Sequence, residues 1–103
     1  MSYEGYEAAK QRLLMEPGVE MGTLMKGPCL RYRDTFIAAM FDKADALIIK
    51  VSPERVNELI EEGIGMEFNF TKKRFKEWVV IPLDFESEYE HYIREALGYA
   101  KGK

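Results

Sequence analysis

The run of residues 35–41 narrows the possible folds more than any other part of the sequence. Its apolar side chains occur at both parities: Phe36, Ala38 and Met40 at one, and Ile37, Ala39 and Phe41 at the other. A β-strand with this sequence presents apolar side chains on both faces of its sheet. Because both faces must then be covered, the run predicts a central strand.

The sequence around this run, over residues 19–51, contains further short apolar runs separated by turn residues, the pattern of an antiparallel meander. We predict strands over 19–25, 29–32, 35–41 and 47–51, with a break at Gly27-Pro28 and tight turns at Arg33-Asp34 and at 42–45. The predicted inner face of the fourth strand consists of Leu47, Ile49 and Val51, with Lys50 on the opposite side.

Helices are predicted before and after the strands. The first, over residues 2–14, has Tyr6, Ala9 and Leu13 on one face, and the proline of Glu16-Pro17-Gly18 ends it. The last, over residues 85–100, has an apolar stripe with spacings of three and four. Its start is left open, since Ser87 with Glu90 would form a capping box slightly later in the chain.

The helix between the strands has the clearest local signals. Ser52 suits the N-cap and Pro53 the first helical position, while Glu54 complements the positive end of the helix dipole. The predicted buried stripe consists of Val56, Leu59 and Ile60. Gly63 is expected to take the left-handed conformation that ends the helix, with Ile64 packed back on the last turn.

A second pair of strands is predicted at 66–70 and 75–81, joined by a basic connection over 71–74 and ended by Pro82. The complete order is α-β-β-β-β-α-β-β-α. It predicts an α+β fold in which three helices pack on an antiparallel sheet made of a meander and a hairpin. With 103 residues the chain is long enough for one domain and too short for two, so we expect a single domain over residues 1–103.

Composition excludes several classes of protein. One cysteine cannot form an internal disulfide and one histidine cannot form a histidine cluster, so neither a disulfide framework nor the common zinc sites are expected. No apolar stretch approaches the roughly 18–20 residues that cross a bilayer, and no secretion signal opens the sequence. We therefore expect a cytoplasmic protein without a membrane partner.

Residues 27–82 carry a pattern found in a known family. It consists of Gly27-Pro28, Leu30, Phe36, Ala38, Leu47, Lys50, Pro53-Glu54-Arg55-Val56, Leu59, Gly63, Phe68, Lys76-Glu77-Trp78-Val79 and Pro82. With the last helix, this pattern resembles the TfoX N-terminal domain family, the first half of the competence regulators called TfoX or Sxy. The most specific positions are Gly27, Pro28, Pro53, Glu54, Arg55, Lys76, Glu77 and Trp78, which we call the family-pattern positions.

The resemblance implies regulation through protein contacts and no enzymatic activity. In the full-length regulators a DNA-binding domain resembling a helix-hairpin-helix unit follows, whereas the present sequence ends at Lys103. We therefore expect a non-enzymatic interaction domain related to transcription regulation. Its expected partner is an unidentified protein or a second copy of the chain.

No residue is predicted to be catalytic. His91, the only imidazole, falls among carboxylates on the charged side of the last helix, where a surface histidine is the expected role. Cys29 shares a strand face with Arg31 and Arg33, whose charges would lower the pKa of its thiol and make it reactive. The alternative for Cys29 is a small apolar side chain without chemistry.

No metal or cofactor is expected either. The carboxylates of Asp42 and Asp45 bracket a turn, and those of Glu61 and Glu62 end a helix. Neither pair matches a calcium loop or a metalloenzyme motif.

Aromatic residues flank the basic run formed by Lys72, Lys73, Arg74 and Lys76. This combination indicates a second possible binding site. Cations neutralise phosphates and aromatic rings stack on bases, so weak nonspecific nucleic-acid binding is the alternative function. The competing interpretation is a solubilising hairpin tip whose aromatic side chains point into the core. A third hypothesis, a small-ligand or catalytic pocket lined by Trp78 and Tyr32, requires a cavity that sequence alone does not reveal.

Overall fold

The computed structural model describes residues 4–24, 27–41, 45–68 and 76–102. This part of the chain contains three α-helices and a six-stranded antiparallel sheet, so the predicted α+β fold and its element order are confirmed. The helices are α1 (Glu4–Leu13), α2 (Pro53–Glu61) and α3 (Tyr89–Lys101). The strands are β1 (Val19–Leu24), β2 (Gly27–Tyr32), β3 (Thr35–Phe41), β4 (Ala46–Lys50), β5 (Met66–Glu67) and β6 (Trp78–Pro82). A 3₁₀ segment, Leu83–Glu88, precedes α3.

The strands lie in the order β1-β2-β3-β4-β6-β5, which makes β3 and β4 interior strands. The prediction of a central strand at 35–41 is therefore confirmed. The three helices cover one face of the sheet, where they share a core with residues of β2, β3, β4 and β6. From β4, this helix-side core contains Leu47 and Ile49, with Val51 just beyond the strand, as the alternation predicts.

The opposite face of the sheet has its own apolar layer. Ala46 and Ile48 of β4 and Val80 of β6 lie there under Phe68, all of them fully buried. Four rings, which we call the aromatic cluster, pack over this layer: Phe36, Phe41, Phe68 and Trp78. Ring centroids lie 5.0 Å apart for Phe36 and Trp78, 5.1 Å for Phe68 and Trp78, and 5.8 Å for Phe41 and Phe68. Such tilted and edge-to-face pairs are favoured geometries for aromatic side chains.

A β-bulge changes the faces of β3. Leu30 of β2 lies opposite Ala38 and the next residue, Arg31, lies opposite Phe36, so β3 uses one residue more than β2 at this point. As a result the neighbours Ile37 and Ala38 both enter the helix-side core, whereas Phe36 and Phe41 both belong to the opposite face. Simple alternation along 35–41 was therefore wrong, because it placed Phe36 with Ala38 and Phe41 with Ile37.

The hairpin between β2 and β3 has the predicted tight turn. Arg33 and Asp34 have φ angles of 46° and 73°, and Tyr32 pairs with Thr35 across them. Two left-handed residues in a two-residue loop give a turn whose twist matches that of the flanking strands.

Gly27 and Pro28 were predicted to lie in the break between the first two strands. They belong to β2 instead. Pro28 faces Thr23 of β1, and β3 pairs with β2 only from Leu30 onward. The alternating hydrogen bonds turn residue 28 away from β1. The backbone nitrogen of Pro28 therefore faces the β3 side of β2, at a position where β3 does not pair with β2. For this reason the absence of an N–H on Pro28 costs the sheet no hydrogen bond.

The structure confirms the N-terminal and C-terminal signals that the sequence predicts for α2. The Ser52 hydroxyl accepts a hydrogen bond from the Arg55 N–H at 3.2 Å. Gly63 closes the helix with a φ of 77°, and the Ile64 N–H donates to the Leu59 carbonyl at 3.0 Å. Ile60, however, was wrongly placed in the buried stripe, since it is 37% exposed.

Helix α3 begins at Tyr89, because the preceding 3₁₀ segment has a kink at Phe85, so the later of the two starts that the sequence left open is the closer one. Its N-cap is Glu88 without a side-chain hydrogen bond, so the capping box of Ser87 and Glu90 was wrong. The buried Tyr89 hydroxyl donates to the Ile81 carbonyl at 2.9 Å and ties the helix start to β6.

Charged side chains join α1 to α3. Glu90 accepts hydrogen bonds from Arg12 at 2.6 Å and from Arg94 at 3.0 Å, and Arg94 also donates to Glu16 at 3.4 Å. These bonds from two guanidinium groups lower the pKa of the Glu90 carboxyl.

Two glycines with free space at the Cβ position should respond oppositely to alanine. Neither Gly63 nor Gly98 would place a Cβ within 4 Å of another atom. Gly63→Ala should lower the free energy of unfolding by about 1 kcal/mol, because L-residues are strained at its positive φ. Gly98→Ala, inside α3, should raise it by about 0.5–1 kcal/mol, because alanine favours helix. Urea unfolding measures both, and changes of the same sign would contradict the assigned backbone conformations.

Replacing two buried tyrosines with phenylalanine should also change the free energy of unfolding in opposite directions. The Tyr6 hydroxyl is buried and has no hydrogen-bond partner within the described chain, whereas Tyr89 donates to Ile81. Tyr6→Phe should raise the free energy of unfolding by about 1 kcal/mol, since it removes an unsatisfied polar group. Tyr89→Phe should lower it by about 1–2 kcal/mol, since the carbonyl loses its donor.

Alkaline pH provides the control for Tyr6. Burial raises the pKa of its phenol far above the ordinary value, so above about pH 10 the tyrosine ionises more readily in the unfolded chain. Below that pH the phenol is neutral in both the folded and the unfolded chain, and its ionisation does not affect stability. Above it, ionisation of Tyr6 in the unfolded chain lowers the free energy of unfolding as pH rises. The free energy of unfolding of Tyr6→Phe should therefore fall less steeply above pH 10 than that of the wild type. Equal slopes would show that Tyr6 is not buried.

Candidate interaction site

A pocket of about 220 Å³ opens between α2 and the start of β6. Its lining consists of Pro53, Val56, Asn57, Ile60, Glu67, Lys76 and Trp78. The four residues from α2 are spaced three, one and three apart, which puts them on one side of the helix. Pro53, Lys76 and Trp78 are family-pattern positions, so the structure brings residues from two separate parts of the sequence pattern to one site.

The lining of the pocket combines apolar and charged side chains. Trp78 is half-buried, because one side of its ring packs in the aromatic cluster. Ile60 gives the pocket an exposed aliphatic side chain. Glu67 and Lys76 supply carboxylate and ammonium groups, and Asn57 supplies an amide.

The side of α2 next to the pocket is acidic. Glu54 and Glu61 are exposed and lie about one turn before and after Asn57. The pocket therefore has carboxylates on its α2 border, which favour a basic group in anything that binds there.

Two further family-pattern positions of this region, Arg55 and Glu77, hold the elements that form the pocket. Arg55 donates to both carboxylate oxygens of Glu95 in α3, each at 2.8 Å, and to Glu58 at 3.2 Å. These bonds raise the pKa of the Arg55 guanidinium, and the two-pronged geometry fixes α2 against α3. Glu77 accepts a hydrogen bond from the Tyr99 hydroxyl, which holds the start of β6 against α3.

The basic run is only partly described. Lys76 is exposed and lines the pocket, whereas Lys72, Lys73 and Arg74 lie outside the described residues. The predicted hairpin tip over 71–74 lies there as well. Of the aromatic residues near the run, Phe68 and Trp78 point into the aromatic cluster.

Cys29 does not have the environment predicted for a reactive thiol. Its side chain is 1% exposed. Burial raises the pKa of the Cys29 thiol, and the opposing effects of Arg31 and of a backbone hydrogen bond from Gly22 do not cancel it. The prediction of a lowered pKa was wrong, because strand parity shows which charges are near but not how deeply a side chain is buried.

The other candidates lie apart from the pocket. His91 is exposed on α3, 3.6 Å from Glu95, as predicted for a surface histidine. Tyr32 packs against the helix-side core, with Arg33 and Lys101 over its ring. Since β3 and β4 lie between β2 and β6, the hypothesis of one pocket lined by both Tyr32 and Trp78 was wrong.

Within the described residues, no three His, Cys, Asp or Glu side chains lie close enough to hold a metal ion. Asp45 is exposed with a φ of 47°, and Asp42 lies outside the described chain. The helices of the described chain are too short or too polar to span a membrane.

Sequence reasoning missed Asn57, Ile60 and Glu67 as pocket residues. The spacing of Ile60 to Val56 and Asn57 was a usable signal, because it puts these three on one side of a helix. What the sequence could not show is that this side of α2 faces the start of β6, with Ile60 partly exposed.

Cys29 should react slowly with thiol reagents in the folded protein. Because its thiolate is disfavoured and its sulfur is covered, modification at pH 8 should be at least about 100-fold slower than in denaturant. Absorbance of the released chromophore from a disulfide reagent follows the rate, and the same protein in guanidinium is the control. Comparable rates in both conditions would show an accessible thiol.

Comparison of the chain with models of known protein families found no match, and comparisons with curated proteins and with solved structures also found none. The resemblance to the TfoX N-terminal domain family stays a prediction based on the sequence pattern.

Proposed function

We propose that this chain is a non-enzymatic interaction domain that docks a segment of a partner protein in the pocket between α2 and β6. The observation that carries the proposal is the convergence of Pro53, Lys76 and Trp78 on one small open pocket. The resemblance to the TfoX N-terminal domain implies the same kind of role.

The size of the pocket favours a side-chain anchor. Sites for cofactors and drug-sized ligands usually have volumes of about 300–1,000 Å³, and this pocket has about 220 Å³. A single large apolar side chain seated in a pocket is a common centre of protein interfaces. Apolar walls from Ile60 and Trp78 suit such an anchor.

The charges around the pocket indicate the chemistry of the partner. Glu54 and Glu61 border the α2 side and are exposed. A segment with an apolar anchor flanked by Lys or Arg would match this border. We therefore propose a basic and apolar peptide segment of a protein as the occupant.

A phage-displayed random peptide library selected on the folded domain tests the proposal. Enriched peptides should share a large apolar residue next to Lys or Arg, and their binding should shift the emission of Trp78, the only tryptophan. Ile60→Lys should weaken binding at least about 10-fold, since a cation then opposes the peptide in the pocket.

Met15→Lys is the matched control, since it makes the same change at an exposed apolar residue that does not line the pocket. It should bind the peptides like the wild type. Lack of enrichment, or equal loss of binding in both variants, would count against docking in the pocket.

Nucleic-acid binding through Lys72, Lys73, Arg74 and Lys76 stays an untested alternative. Of these four, the structure describes Lys76, whose side chain is exposed at the pocket. No further feature of the described residues favours phosphate binding over the carboxylate-bordered docking proposed above.

A further inference from the structure

The two edges of the sheet differ in a way that bears on assembly. The edge strand β5 has two residues, whereas β1 has six and pairs with β2 in one uninterrupted register. Natural edge strands are usually protected by shortness, bulges, proline or lysine. β1 has none of these features, and Glu20 is its single charged residue.

Hydrogen-bond alternation shows which backbone groups β1 presents outward. The Arg33 N–H donates to the Gly18 carbonyl at 3.2 Å, so residues 18, 20 and 22 direct their groups toward β2. Residues 19, 21 and 23 then direct theirs to the open side. Because the Val19 N–H already donates to Glu16 at 3.2 Å, Met21 and Thr23 are the residues that offer both N–H and C=O outward.

We propose that β1 pairs in antiparallel fashion with β1 of a second copy of the chain, around a two-fold axis at Gly22. In this register Met21 pairs with Thr23 of the partner subunit, and Thr23 pairs with Met21 of the partner subunit. Each of the two pairs exchanges N–H and C=O bonds. The two six-stranded sheets become one continuous sheet.

The side chains of β1 fit this register. The two Gly22 residues form the close, non-hydrogen-bonded pair, in which Cα atoms approach to about 4.5 Å and a bare Cα is an advantage. The two Glu20 residues are four steps apart along the strands, about 14 Å, which exceeds the Debye length of about 8 Å. The edge is thus complementary to itself.

Exposed apolar side chains accompany the open edge. Met21 is 42% exposed, and Leu14 and Met15, just before β1, are 36% and 84% exposed. A second copy would cover part of this apolar surface. Since β1 and the α2–β6 pocket lie at opposite ends of the strand order, this dimer is independent of docking in the pocket.

Sedimentation velocity over a concentration series, from about 5 µM to about 1 mM, tests the dimer by mass action. The wild type should rise from a mass of 12.0 kDa toward twice that value. Thr23→Pro should stay monomeric, because proline removes the outward N–H and leaves the bonds between β1 and β2 intact. Thr23→Ala keeps the N–H and should dimerise like the wild type.

Met21→Lys is the second variant, in case Thr23→Pro does not fold. It should also be monomeric, since it places two like charges near the axis, within a Debye length. Amide exchange by NMR locates the contact: Met21 and Thr23 should gain protection at high concentration, while Glu20 and Gly22 stay equally protected throughout.

Three results would overturn the proposal. The first is a monomeric wild type over the whole series, and the second is dimerisation that neither folded variant weakens. The third is association without added protection of Met21 and Thr23, which would place a dimer contact on another surface.

Discussion

The structure depends on covering the two central strands of the sheet on both faces. β3 and β4 are apolar on each side, and the three helices cover only one side. The aromatic cluster, with the fully buried Phe68, covers the other. In the described chain no charged residue is buried, and the buried side chains are apolar or aromatic, so burial of apolar surface is the main source of stability. Charged groups orient the helices at the surface.

This division explains why the pocket lies where it does. α2 packs on the helix-side core through Val56 and Leu59, and Trp78 packs on the opposite face. The pocket opens between them at the start of β6. Arg55 and Glu77 act outside the pocket: each bonds to α3 and keeps its own element in place. Of the family-pattern positions, Pro53, Lys76 and Trp78 thus line the pocket, while Arg55 and Glu77 support it.

Local signals made much of this fold predictable. Ser52, Pro53 and Gly63 determine the ends of α2 through backbone chemistry that does not depend on distant contacts. The two-sided apolar pattern of 35–41 similarly required an interior strand. Non-local features were not predictable. The bulge at Ile37 depends on the register with β2, the exposure of Ile60 depends on how α2 packs against the sheet, and the environment of Cys29 depends on its depth. For the same reason sequence patterns selected Trp78 and Lys76 for the site but not Asn57 or Glu67.

The pairing of α1 with α3 has a consequence for how the protein is made. Arg12 and Glu90, which bond across these helices, are 78 residues apart in sequence. On the ribosome α1 therefore emerges long before the helix that it packs against. Its apolar face stays uncovered until the sheet and α3 have been synthesised. Contacts of such long sequence separation slow folding, because a large loop must close before they form.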